Sequence, residues 1–330
     1  MTSMEQRRTV RQLAAAACAC AWASQAPAQE NVTIYGLFDL AMVKKSGGGT
    51  TALERGNNNR LGFRGTEDLG GGLRATFHIQ HRFRPDTGAV ERAAVFWQGE
   101  STVGLSSDTW GTLRLGRGTT PIWQKNWAFE PWGASGFNAS LAAFHVGNFT
   151  FSSDGTNDAT VGSANSARSP NTVFYNSPVL AGFSAAVSAQ IEKDAGAQSR
   201  NRGISLNYDR GPVALMLGGE ENTDRDRMAF AAASYAFDGL KLMGSYARID
   251  HDDAPSESSY VVAATYTLAR AGTLRAGFGR NADVGVKKLS LGYVHPLSRR
   301  TSLYVDGWRQ ETRTAADTFN AIALGISHSF

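Results

Sequence analysis

The sequence predicts an all-β chain closed into a transmembrane antiparallel barrel of 16 strands, with one long loop packed inside it. Three observations carry this expectation. Apolar and polar side chains alternate with period 2 over most of the chain. The connections between the alternating runs are of two kinds, short and long, and the two kinds take turns. One stretch, 121–167, shows neither alternation nor a sustained helix, and a structureless loop of that length inside a compact fold is usually functional.

The N-terminus stands apart from the fold. Arg7, Arg8 and Arg11 form a basic start, Leu13 to Ala23 is apolar, and Ala26-Pro27-Ala28 is a small-residue cleavage site before Gln29. These are the parts of a secretory signal peptide, residues 1–28. The apolar run is too short for a membrane-spanning helix, which needs about 20 residues. A lipobox ending at Cys18 is a poorer match, because Ala15 stands where Leu or Val is usual. Cleavage removes both cysteines, so the exported chain does not rely on disulfides. Loss of Arg7, Arg8, Arg11 and Glu5 leaves 30 Lys+Arg against 28 Asp+Glu, a balance that does not suggest a nucleic-acid partner.

From Gln29 onward the strands follow in order. Val32, Ile34, Phe38, Leu40 and Met42 share one face of the first, with Thr33, Tyr35 and Asp39 on the other. Leu61 and Phe63 alternate with Arg60, Gly62 and Arg64. Leu73, Ala75, Phe77, Ile79 and Phe83 alternate with Arg74, Thr76, His78, Gln80, Arg82 and Arg84. Ile204–Asp209 and Tyr260–Leu268 repeat the pattern, whereas Met228–Phe237 and Thr301–Gln310 alternate poorly and are placed by spacing. Short turns such as Asp68–Gly72, Ser106–Gly111 and Pro296–Arg300 take turns with longer polar loops such as Lys44–Asn58, Arg84–Glu91 and Asp250–Glu257. An even strand count, with short turns at one end and long loops at the other, is the pattern of an outer-membrane barrel. Alternation by itself does not say whether the apolar face meets lipid or a second sheet, so an exported soluble sandwich or propeller stays open at this point.

The long loop is rich in aromatics. Trp123, Trp127, Phe129, Trp132, Phe137, Phe144, Phe149 and Phe151 fall within 31 residues. Such side chains favour burial, so the loop should pack inside the fold. An outward adhesive loop is the alternative, and it would leave that apolar surface in water.

Several segments resemble the general diffusion porins of proteobacterial outer membranes. NVTIYGLFDLAM (31–42), NRLGFRGTEDLGGGLRATF (59–77), WGTLRLGRGTTP (110–121), RSPNTVFYNSP (168–178), HPLSRRTSLYVD (295–306) and the terminal LGISHSF (324–330) carry the likeness, in order along the mature chain. The resemblance implies a 16-stranded barrel spanning 29–330, usually a homotrimer, whose loop 121–167 folds inward as a constriction. It also implies an outer-membrane location among lipid and lipopolysaccharide. Phe330 would then be the terminal signal read by the assembly machinery.

The resemblance places Arg60, Arg117 and Arg168 on the basic wall of the constriction, and Arg64 shares the face of Arg60. Strict alternation sends Arg117 to the side of Leu113 and Leu115, and a bulge at Gly116 would re-aim it. Arg74, Arg82 and Arg84 extend the basic ladder or are merely solvated. Glu130, Asp154 and Asp158 outweigh Lys125 in the loop and are the expected acidic side, with Glu130 the first candidate to face the pore.

Enzyme chemistry finds little support. His78 and His81 point to opposite faces of a strand and do not share a metal. His328 falls on the lipid-side row and His295 at a short turn, and His251 sits in DHDD (250–253), a solvated loop or a weak cation site. No nucleophile–base pair is evident. The expected function is a water-filled channel for passive diffusion of small hydrophilic solutes and ions, modestly anion-preferring, without cofactor or metal. A channel preferring particular anionic solutes and a barrel-anchored surface adhesin are the alternatives.

Overall fold

The computed structural model describes residues 31–47, 49–91, 95–135, 137–141, 167–193, 197–269, 271–313 and 318–330. The expected signal segment 1–28, Asp154 and Asp158 lie outside the described residues.

All strands belong to one antiparallel sheet. They are β1 (Asn31–Lys45), β2 (Ala52–Arg55), β3 (Arg60–Gly70), β4 (Leu73–Arg82), β5 (Glu100–Ser107) and β6 (Gly111–Thr119). After the long loop come β7 (Arg168–Asn176), β8 (Phe183–Gln190), β9 (Arg202–Arg210), β10 (Val213–Glu221), β11 (Arg227–Phe237) and β12 (Leu240–Asp250). The rest are β13 (Glu257–Leu268), β14 (Gly272–Asn281), β15 (Val286–Pro296), β16 (Thr301–Glu311) and β17 (Phe319–Ser329). Apart from β2 and β3, which both pair with β1, each pairs with its neighbour in the chain, and β17 pairs back onto β1 from Leu37↔Ser329 to Lys45↔Ala321. Phe330 completes the seam. Its carbonyl accepts from the Gly36 N–H at 3.0 Å and its own N–H donates to the Gly36 carbonyl at 3.2 Å. Closure matters because an unpaired strand edge in hydrocarbon costs several kcal/mol for each polar group left bare.

Seventeen segments make sixteen barrel positions, because β2 and β3 lie end to end along the same edge of β1. The expected loop Lys44–Asn58 is corrected here: β1 runs on to Lys45, and β2 turns back to pair with Leu40–Val43. The break between β2 and β3 faces Asp39, whose peptide groups would lose a partner strand. Asn59 supplies one. Its side-chain oxygen accepts from the Asp39 N–H, and its amide nitrogen donates to the Asp39 carbonyl at 3.1 Å. A side-chain amide thus stands in for a peptide group, and the backbone of Asp39 is not left orphaned at the break.

The apolar row of each strand faces outward. Val32, Ile34, Phe38 and Met42 are exposed on β1, as are Leu215 and Leu217 on β10, Leu289 and Leu291 on β15, and Ile322, Leu324 and Ile326 on β17. A soluble sandwich would bury these rows, whereas a membrane barrel offers them to lipid. Aromatic rings edge the belt. Phe183 and Tyr208 pack at 4.7 Å near the short-turn end, and Tyr260 and Phe278 at 6.1 Å toward the long loops.

The inner face is not uniformly polar, against the simple expectation. Met228, Phe230 and Ala232 of β11, Ala247 and Ile249 of β12, and Tyr304 and Trp308 of β16 are buried on it. Strands β11 and β16 are those whose alternation fails in the sequence. Both of their faces are apolar, because one meets lipid and the other receives the long loop.

Candidate functional site

Arginines gather on the inner wall of β3–β7. Arg60 and Arg64 on β3 and Arg82 on β4 share the inward parity of Gly62 and Gln80. Arg82 faces Arg168, Glu91, Arg60 and Arg55 electrostatically, and Arg168 faces Glu100, Arg117, Glu91 and Arg60. Three of the heads are held by oxygens of the main chain. Arg60 Nη1 donates to the Asn58 carbonyl at 2.9 Å, Arg117 Nε to Gln98 O at 3.1 Å and Arg168 Nε to Gly99 O at 3.2 Å. Two carboxylates sit among them: Glu91 pairs with Arg55, and Glu100 with Arg114. Seven guanidiniums therefore surround two buried carboxylates, and the wall carries a standing positive charge.

Arg117 reaches this wall beside a bulge in β7 and next to a kinked glycine of its own strand. The β6–β7 register passes from Gly116↔Thr172 to Gly118↔Ser169, so Arg117 lies opposite two residues of β7, Pro170 and Asn171, and the extra residue is on β7. Gly116 has φ 129°, and a Cβ there would stand 2.1 Å from the Ser101 carbonyl oxygen, so glycine is required. The irregular backbone at Gly116, beside the β7 bulge, turns the guanidinium away from the exposed leucine row toward Gln98 O.

The described part of the loop lies against the inner face of β10–β16. At its base Glu220 of β10 accepts from the Ile122 N–H at 2.8 Å and from the Thr120 hydroxyl at 3.2 Å. Ile122 fills the space over Gly218, where a Cβ would come within 2.5 Å of it. A short 3₁₀ turn, Asn126–Phe129, buries Phe129 against Phe230 and Ile249, and Lys241 Nζ donates to the Ala128 carbonyl at 2.7 Å. Trp132 then packs with Tyr304 and Trp308 under the Arg275 guanidinium, which lies 5.0 Å from its ring and is paired with Asp306 at 2.7 Å. Leu141 sits over Gly277, and Lys288 Nζ donates to the Asn138 and Ser140 carbonyls. Phe137 returns toward the basic wall, with the Arg55 guanidinium 4.0 Å above its ring.

Glu130 departs from its expected place. It is buried, and its carboxylate accepts from the N–H groups of Trp132 and Ala134, each at 2.8 Å, and of Leu141 at 2.6 Å. Burial pushes its carboxyl above the usual carboxylate range, and these hydrogen bonds pull it back. Glu130 ties the loop to itself and does not line the pore. The reason is that three amides of a turn without strand partners need an acceptor, and one carboxylate serves all three.

Two other basic residues also differ from the ladder. Arg74 is at the short-turn end, forked onto Asp108, whose carboxyl it holds below the ordinary range. Arg84 lies beyond β4 in an exposed turn, its N–H donating to the Ala89 carbonyl at 2.8 Å. Sequence reasoning missed Arg55, Glu91, Glu100 and Arg114. Arg114 was available from alternation with Leu113 and Leu115; Arg55 and Glu91 lie on either side of strand breaks, where parity is lost. The expected solvated loop at His251 is also corrected. Its ring is buried, with Nδ1 3.2 Å from Asp226 and Nε2 3.5 Å from Glu257, because the strand-end carboxylates close over it. Among the described residues no cluster of His, Cys, Asp and Glu is arranged to hold a metal ion.

A family model described as Gram-negative porin matches residues 14–315. Outer membrane porin protein 32 of Delftia acidovorans is 30% identical over 306 residues, covering 84% of this chain and 83% of its own length. An outer membrane porin protein of Bordetella pertussis is 25% identical over 401 residues, covering 96% of this chain and 99% of its own length. Among solved structures, an anion-selective porin from Comamonas acidovorans superposes with TM-score 0.76 at 25% identity, over 92% of this chain and all of that one. OmpF of Salmonella typhi, at TM-score 0.71 and 14% identity over 91% and 97%, shares the fold.

Proposed function

We propose, from the premise that the chain belongs to the Gram-negative porin family, that its arginine wall makes the channel modestly anion-preferring. The protein is an outer-membrane porin, a channel for small solutes and not an enzyme. The observation that carries the proposal is the imbalance across the lumen. Arg55, Arg60, Arg64, Arg82, Arg114, Arg117 and Arg168 stand on one side with Glu91 and Glu100. The described part of the loop opposite has its one carboxylate, Glu130, turned into itself. Where the loop narrows the passage, an ion travels within a Debye length of the wall, about 8 Å at physiological salt. The name of the Comamonas relative, an anion-selective porin, agrees with this reading.

The preference is modest because both wall carboxylates offset it. Zero-current potential across a bilayer in a KCl gradient tests it: chloride preference supports the reading and potassium preference overturns it. We further infer a homotrimer set among outer-membrane lipid and lipopolysaccharide, inserted by machinery that reads Phe330. The fixed place of Phe330 at the closing seam supports this. A monomer on native mass measurement of the unheated protein would overturn the trimer.

A further inference from the structure

Burial accounts for the aromatics of the described inward loop with one exception. Phe129 and Trp132 are buried, Trp123 is half-buried, and Phe137 lies under Arg55. Trp127 is 55% exposed. An exposed large apolar side chain on a well-anchored segment calls for an explanation.

The 3₁₀ turn explains its direction. Side chains three apart eclipse in such a turn, and Asn126 and Phe129 are both buried toward the β11–β12 wall. Trp127, one position on from Asn126, therefore points off that wall into the lumen. Its indole N–H is already spent on the Gln124 carbonyl at 2.9 Å, so what it offers a solute is the ring face. The platform beneath is held on several sides. Gln124 accepts from Asn176 Nδ2 and donates to Thr119 O at 3.0 Å, and Lys241 holds the Ala128 carbonyl. Lys125, two residues before the ring, is exposed beside the turn.

We propose that Trp127 is a stacking site for ring-bearing anions, specifically aromatic carboxylates, within the lumen. The ring of the solute lies on the indole face, and its carboxylate turns toward Lys125 and the positive field of the lumen. The proposal rests on the anion-preferring reading of the channel. It adds a solute class to the charge preference set by the arginine wall.

Chloride current through single reconstituted channels, titrated with benzoate, cyclohexanecarboxylate or acetate, tests it. In the parent, benzoate blocks at lower concentration than cyclohexanecarboxylate, and acetate is weakest. Trp127→Ala raises the half-blocking benzoate concentration about three- to ten-fold, the loss of one aromatic pair. Trp127→Phe keeps a ring and most of the block, which covers the case in which the alanine variant misfolds. Equal block by benzoate and cyclohexanecarboxylate, or no change in Trp127→Ala, overturns the stacking site. The KCl zero-current potential, measured on the same channels, reports failure of the arginine reading separately.

Discussion

Arg60 and Arg82 stand directly opposite each other across β3 and β4, two like charges in register on the inner wall. Such cross-strand pairs destabilise a sheet. Asn58 eases the conflict, accepting from Arg60 through its carbonyl at 2.9 Å and from Arg82 through its side-chain oxygen at 3.0 Å. The pairing fits the proposed reading of this wall as one that attracts anions.

Replacing Arg60 and Arg168 by Ser should shift the zero-current potential in a KCl gradient toward potassium. The parent's preference should fade as salt rises, since screening shortens the reach of the wall. An unchanged potential in the double variant would remove these arginines from selectivity.

Glu130→Ala should loosen the loop without reversing ion preference. It strands the N–H groups of Trp132, Ala134 and Leu141, each costing about 1–3 kcal/mol where water does not reach. Noisier single-channel current with the same sign of potential is the expected record. A large shift toward anions would instead make Glu130 a pore-lining acid.

Gly218→Val should displace Ile122 and the base of the loop, because even a Cβ there meets Ile122 at 2.5 Å. No charge changes, so conductance and its fluctuations should change far more than selectivity. Conductance identical to the parent would mean that the loop is not held at Gly218.

Deleting Phe330 should lower the amount of heat-modifiable folded protein in the outer membrane, with synthesis and export intact. The deletion removes both hydrogen bonds to Gly36 that finish the seam. Normal folded levels would count against the seam and the terminal signal together.

The mature protein should begin at Gln29, as intact-mass measurement of the outer-membrane fraction can show. Retention of residues 1–28, or a lipid on Cys18, would contradict the cleavage site.

The barrel was legible in the sequence because a membrane strand records its own surroundings. Each residue of β1 or β17 faces lipid or lumen by parity alone, and the turns count the strands. Arg60, Arg64 and Arg82 could be placed inward on the same ground.

What only the tertiary structure decided is where the loop lies and what its charges do. Ile122 meets Gly218, Leu141 meets Gly277 and Trp132 meets Tyr304, contacts between segments far apart in the chain that no local period encodes. The poor alternation of Met228–Phe237 and Thr301–Gln310 was the mark of that docking surface, readable only once the loop was seen against it. Glu130 carries the same lesson. Its charge is plain in the sequence, but whether a carboxylate faces solvent or closes a turn depends on which backbone amides the fold leaves without partners.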